Sequence, residues 1–166
     1  RRSAALSAST LNHLPPFAAQ PTYALTALYP YATANVPGEW AFRAEAAWTL
    51  PRRTAWGGRY GTTLRLRAAH IRDLALNDGP EGAEAMGTDG HRARNFWAMG
   101  GTRYGEWALD AERRLNRDLR LHATLMSQTI DRTAVEGHGG RVNTLIGILE
   151  GQWQANAKTA LRAEAQ

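Results

Sequence analysis

Trp40-Ala41-Phe42-Arg43-Ala44-Glu45-Ala46-Ala47-Trp48-Thr49-Leu50 alternates with a period of two: Trp40, Phe42, Ala44, Ala46, Trp48 and Leu50 fall on one side, Ala41, Arg43, Glu45, Ala47 and Thr49 on the other. Successive side chains of a strand point to opposite faces, so this stretch predicts a strand with one apolar and one charged face. Trp40 and Trp48 are separated by about 26 Å along such a strand, and by about 20 Å along a membrane normal if the strand is tilted by about 40°. That spacing matches the two aromatic girdles of a transmembrane barrel. In a soluble sandwich the face opposite a buried one is solvated, and the strands are shorter.

Beyond Pro51-Arg52-Arg53-Thr54-Ala55-Trp56-Gly57-Gly58-Arg59-Tyr60-Gly61 the alternation resumes, with Leu64, Leu66 and Ala68 against Arg65 and Arg67. Folding the two strands about that turn sets Trp48 opposite Leu64, Ala46 opposite Leu66 and Glu45 opposite Arg67. Apolar then meets apolar and charge meets countercharge, a match that a slip of one residue would destroy. A second hairpin runs from Trp107, Leu109 and Ala111 through Arg113–Asp118 to Leu119, Leu121, Ala123 and Leu125. With Asn116 as its pivot, Ala111 pairs with Leu121, Leu109 with Ala123, Asp110 with His122 and Glu112 with Arg120. Two more strands are expected, from about Val142 to Trp153 and from Thr159 onward, joined by residues 154–158. Leu161, Ala163 and Ala165 separate cleanly from Arg162 and Glu164, whereas Leu145, Leu149 and Trp153 oppose Ile146 and Ile148 and leave the preceding strand's faces open.

The fold expected is therefore all-β: residues 1–166 form part of one antiparallel up-and-down outer-membrane β-barrel, with about seven strands of a larger barrel. Its lipid-facing set is Trp40, Phe42, Trp48, Leu64, Leu66, Trp107, Leu109, Leu121 and Leu161. Its lumen-facing set is Arg43, Glu45, Arg65, Arg67, Asp110, Glu112, Arg120, His122, Arg162 and Glu164. Connections at 51–61, 113–118 and 154–158 are tight and fall on one side, while those at 74–95 and 132–141 fall on the other, as periplasmic turns and outer loops do. The parity requires residues 9–38 to be one long excursion on the outer side, which its prolines at 15, 16, 21, 30 and 37 favour because proline cannot donate to a ladder. Within it, Tyr23 to Tyr29 is expected to form a short helix in the barrel mouth or a short strand. Extending the parity of Trp107 back to Arg103 aims that arginine outward, at the headgroup rim, unless Gly100-Gly101 forms a bulge.

Composition sets wider bounds. The chain has 166 residues, 43% of them hydrophobic, and a net charge of +5. No apolar run reaches the roughly 18 residues of a spanning helix, and a mean hydropathy of −0.46 is compatible with strands that show lipid only every second side chain. The absence of cysteine excludes disulfides, thiolate metal sites and cysteine nucleophiles. The cations are nearly all arginine and are spread along the sequence, so nucleic acid is not an expected partner. His13, His70, His91, His122 and His138 lack metal-ligand spacing, and no cofactor is expected. Residues 77–84 with Asp89 and Gly90 are acidic but lack the order of a calcium loop. Ser127 falls on the face opposite His122, which removes a hydrolytic triad with Asp110. Starting at Arg1-Arg2-Ser3-Ala4 and stopping within an alternating run at Leu161–Gln166, the sequence reads as an internal segment of a longer chain.

Leu14-Pro15-Pro16-Phe17, Thr22-Tyr23-Ala24-Leu25, Leu28-Tyr29-Pro30-Tyr31-Ala32-Thr33 and Gly38-Glu39, with Gly57-Gly58-Arg59-Tyr60-Gly61 and Val135-Glu136-Gly137-His138-Gly139-Gly140, resemble a family of uncharacterised outer-membrane barrel proteins of Bacteroidota. The resemblance spans most of the chain, which is richer in alanine and arginine than that pattern. It implies a barrel in the outer membrane and assigns no catalytic or transport residue. Function is accordingly expected to be a porin-like passive conduit for small polar solutes, not an enzyme, with outer-membrane lipid as its partner. The alternatives are a plugged structural or interaction barrel of an assembly or secretion system, and a soluble β-sandwich of the carbohydrate-binding kind, in which Trp40, Trp48 and Leu64 would be buried under a second sheet. No oligomeric state follows from the sequence.

Overall fold

The structure, a computed structural model, describes residues 23–29, 31, 39–77 and 94–166. The expectations placed on Leu14–Phe17, on the five prolines of 9–38, on His13 and His91, and on residues 78–90 of the acidic stretch lie outside these. Six strands form one antiparallel sheet in sequence order: β1 (Glu39–Leu50), β2 (Thr62–Leu74), β3 (Met99–Arg114), β4 (Leu119–Asp131), β5 (Arg141–Asn156) and β6 (Thr159–Ala165). The count among the described residues is six where about seven were expected, and the sheet is open, with β1 and β6 at its edges. Each strand pairs with its neighbour in sequence, the up-and-down arrangement that alternation and short turns favour.

The β1–β2 register is the expected one: Trp48 opposes Leu64, Ala46 opposes Leu66 and Glu45 opposes Arg67. The connection 51–61 closes through Arg53 N to Gly58 O (2.6 Å) and Gly58 N to Thr54 O (2.9 Å). Glycine is required at 57, where a Cβ would lie 1.9 Å from the Pro51 carbonyl oxygen.

In the β3–β4 hairpin the expected pairs are displaced by two residues. Ala111 opposes Ala123, Leu109 opposes Leu125, Asp110 opposes Thr124 and Glu112 opposes His122. The reason lies in the turn. Asn116 opens it instead of standing at its centre: its side-chain oxygen accepts from the backbone N–H of Asp118 (2.8 Å) and of Leu119 (2.7 Å), and Leu115 N donates to Leu119 O at 3.0 Å. A shift of two keeps every side chain on its face, so the expected charge pairs survive as diagonal neighbours.

At the other end of β3, the expectation for Arg103 is overturned. The β2–β3 register shifts between Ile71 and Arg72 and again before Leu74, and this bulge turns Arg103 inward. Only 9% exposed, it pairs with Asp73 and donates to the Ala134 carbonyl at 2.7 Å. That carbonyl belongs to a short helix, α1 (Arg132–Glu136), capped by the Asp131 side chain on Ala134 N (3.1 Å) and ended by Gly137 at φ 84°.

The undecided faces of β5 are also settled. Ile146 and Ile148 share the face of Asp110, His122 and Glu150, while Leu145, Leu149 and Trp153 take the other. Connections 51–61, 115–118 and 157–158 lie at one end of the sheet and 75–98 and 132–140 at the other; the expected contrast in length fails at one pair, since 51–61 has more residues than 132–140 and is compact only through its internal turn hydrogen bonds.

Because the Asn116 side chain fixes where this hairpin turns, Asn116→Ala is expected to cost about 1 kcal/mol through its two lost hydrogen bonds. Urea unfolding of the two proteins, compared at unchanged m-value, measures the cost.

Candidate functional site

Strand alternation and the five registers place Arg43, Glu45, Arg65, Arg67, Asp110, Glu112, Arg120, His122, Arg162 and Glu164 on one face of the sheet. Near the tight turns these side chains form an ion-pair lattice. Glu45 lies 3.3 Å from Arg65 and 3.7 Å from Arg43; Arg67 binds Asp110 at 3.1 Å; Glu112 meets Arg120 at 3.5 Å. Arg162 bridges Glu150 (2.8 Å) and Glu164 (3.1 Å). Asp110 also accepts from Thr124 (2.7 Å) and lies 3.7 Å from His122 Nε2. Most of these pairs are substantially exposed, which limits each to less than about 1 kcal/mol.

Toward the longer connections the same face becomes apolar, and residues 23–29 and Tyr31 lie against it. Tyr23 and Leu25 pack on Ala108, Met126, Ile146 and Ile148. Tyr31 packs on Ala69, Ile71, Tyr104 and Ile130, with Tyr29 and Val142 beside it. Leu25–Ala27 is one 3-10 turn, the short-helix outcome of the two expected for this stretch. Polar groups in this layer are matched. Gln128 donates to the Tyr29 carbonyl (2.8 Å) and lies 3.2 Å from the Tyr104 hydroxyl, which donates to Glu106 at 2.6 Å.

Tyr23 joins the two halves. Its hydroxyl donates to Glu150 Oε2 at 2.8 Å and lies 2.7 Å from His122 Nδ1. A phenol has one proton, so with Glu150 receiving it the imidazole Nδ1–H donates to the phenol oxygen. Burial first, then the hydrogen bond and the charge of Glu150, push the Tyr23 pKa up to about 12.

The opposite face carries Trp40, Phe42, Trp48, Leu64, Leu66, Trp107, Leu109, Leu121 and Leu161. Trp48 is 54% exposed and Trp107 62%. At the edge near the longer connections, Trp40 stacks on Phe42 and Trp97 and meets Phe96 edge-on at 5.0 Å. Ser127 also lies on this face, between Trp107 and Leu145 and away from His122.

Sequence reasoning missed Tyr23, Tyr31, Glu106 and Gln128. The available signal was the pair Ile146 and Ile148, whose apolar side chains oppose Leu145 and Leu149 and so require cover on both faces of β5.

A raised pKa means the folded protein holds the Tyr23 proton where the unfolded chain loses it. The contribution is intact below pH 10 and is lost as pH rises from 10 to about 12. Phenolate absorbance recorded for the native protein and for Tyr23→Phe should differ by one group titrating well above pH 10. A difference titrating at the ordinary tyrosine value would contradict the Glu150 contact.

No curated protein and no solved structure matches the chain. One family model covers residues 1–166 in full, and the chain, an open antiparallel sheet with one charged and one apolar face, belongs to the family of unknown function DUF6029.

Proposed function

We infer that this sheet is part of the wall of an outer-membrane β-barrel, with Trp48, Trp107, Leu109 and Leu161 toward lipid and the ion-pair lattice toward the lumen. Three features support it: alternation across six consecutive strands, an apolar face bearing exposed tryptophans and leucines, and the resemblance to Bacteroidota barrel proteins. A soluble sandwich requires a second sheet over Trp48, and no described residue covers it. The reading assigns the chain no enzymatic role and no nucleic-acid partner.

The seat of residues 23–29 and Tyr31 on the charged face favours a lumen occluded by its own chain on the side of the longer connections. Tyr23 bound between His122 and Glu150 is the observation that carries this. The plugged structural or interaction barrel is therefore the leading reading. A passive conduit for small polar solutes comes second, favoured by the exposed ion pairs of the half that residues 23–29 and Tyr31 leave bare.

Single-channel recording of the full-length protein in a planar bilayer separates them. The plugged barrel gives small or no steps, and the double variant Tyr23→Ala/Tyr31→Ala enlarges them. Large native steps that change with Arg65→Gln or Arg67→Gln would establish the conduit instead. The face assignment has its own test: Ala46→Arg, on the lipid side, is expected to cost about 2–4 kcal/mol and Ala47→Arg, one residue later, markedly less. Equal losses on unfolding from lipid would sink it.

A further inference from the structure

The row of the charged face nearest the tight turns differs from the rest of the lattice. Arg114 stands directly opposite Arg120 across β3 and β4, and Arg120 opposite Gln152 across β4 and β5. Like charges face to face destabilise a strand pair, so this row is a poor choice for structure alone. Glu112 reaches Arg120, but neither Arg114 nor Arg117 has a carboxylate within ion-pair distance among the described residues.

Arg114, Arg117, Arg120, Gln152, Gln154 and Asp118 line a cleft of about 250 Å³. Its walls are held in place. Arg114 Nε donates to the Asn116 carbonyl (3.2 Å) and its Nη2 to that of Arg117 (2.5 Å), and the guanidinium lies over the Tyr60 ring at 5.6 Å, which together fix its position. Gln154 N donates to the Asp118 carbonyl at 2.7 Å, tying the end of β5 to the β3–β4 turn. Three guanidiniums against Glu112 and Asp118 leave the cleft net positive; Gln154 spends its amide N–H groups on the Asn156 (2.7 Å) and Thr159 (3.4 Å) carbonyls, so the donors offered to a tetrahedral oxyanion are the guanidinium forks and the Gln152 amide.

We propose that this cleft binds a small soluble phosphate-bearing anion, such as inorganic phosphate or a phosphate monoester, between Arg114, Arg117 and Arg120. Arg114, Arg120, Gln152 and Gln154 all lie on the charged face, away from Trp48 and Trp153, so the ligand arrives from solvent and not from a lipid headgroup. The site is built from the sheet alone. Only its place at a lumen mouth rests on the barrel reading, so binding in detergent reports on the cleft whether or not a channel conducts.

The test is calorimetric titration of the full-length protein in zwitterionic micelles with inorganic phosphate, and with sodium chloride at matched ionic strength. Saturable binding of phosphate and none of chloride is expected. Arg117→Gln, whose side chain takes no part in the turn, should weaken it about tenfold, as loss of a charge-assisted hydrogen bond does, and Arg114→Gln at least as much. Arg65→Gln, in the lattice nearby, should leave it unchanged, with strand content by circular dichroism verifying each fold. Equal response to chloride, or equal weakening by Arg65→Gln, would overturn the proposal as a general charge effect, as would unchanged affinity in Arg117→Gln. Loss of phosphate binding in nanodiscs containing phosphatidylglycerol, but not in zwitterionic ones, would assign the cleft to lipid instead.

Discussion

The hydrogen-bond ladder between neighbouring strands governs the rest of the structure, because a strand pair can slide only in whole residues and each single step turns every side chain to the opposite face. Glu45 meets Arg65 and Arg67, and Trp48 meets Leu64, only in the register observed. The β3–β4 hairpin shows the same constraint from its other side. Its turn lies one position later than simple reflection about Asn116 places it, the pairing changes by two, and the separation of charged from apolar survives intact. What is protected is the identity of the faces; individual partners are negotiable, since Glu112 and Arg120 reach each other diagonally as well as they would straight across.

Given the faces, the sheet has two problems of burial, and it solves them differently. The charged face is held by exposed ion pairs, each weakly stabilising, up to the Arg114–Arg120 row at the tight turns, which stays net positive. Nearer the longer connections it presents Ile71, Ile130, Ile146 and Ile148, and there residues 23–29 and Tyr31 supply the missing apolar cover. The other face has Trp40 packed under Phe96 and Trp97, while Trp48, Trp107 and its leucines are left largely exposed among the described residues. Leu125, Leu145, Leu149 and Leu161 all stay more than half exposed there, an apolar surface of the kind that marks an interaction face.

Much of this was legible in the sequence, since a period of two is written directly into residues 40–50, 64–68, 107–111 and 161–165. The registers keep the side chains of the charged set together on one face of the sheet and those of the apolar set together on the other. What could not be read depends on interactions that leave no periodic trace. The Asn116 turn is set by one side-chain oxygen, the Arg103 inversion by a bulge opposite Arg72, and the seat of Tyr23 by partners on strands far along the chain. Ile146 and Ile148 did carry the information, in the form of an apparent contradiction: β5 is apolar on both sides, and on the side of the two isoleucines Tyr23 and Leu25 supply the cover.

The strand order has a kinetic consequence. With each strand paired only to its sequence neighbour, every pairing except β2–β3 closes a loop of eleven residues or fewer, and the sheet can grow one strand at a time. Tyr23 obeys no such economy, because its partners His122 and Glu150 lie 99 and 127 positions away. Its docking site exists only once β4 and β5 have joined the sheet. The β4–β5 pair must therefore form before Tyr23 can settle, and the Tyr23 contacts report that His122 and Glu150 have come together.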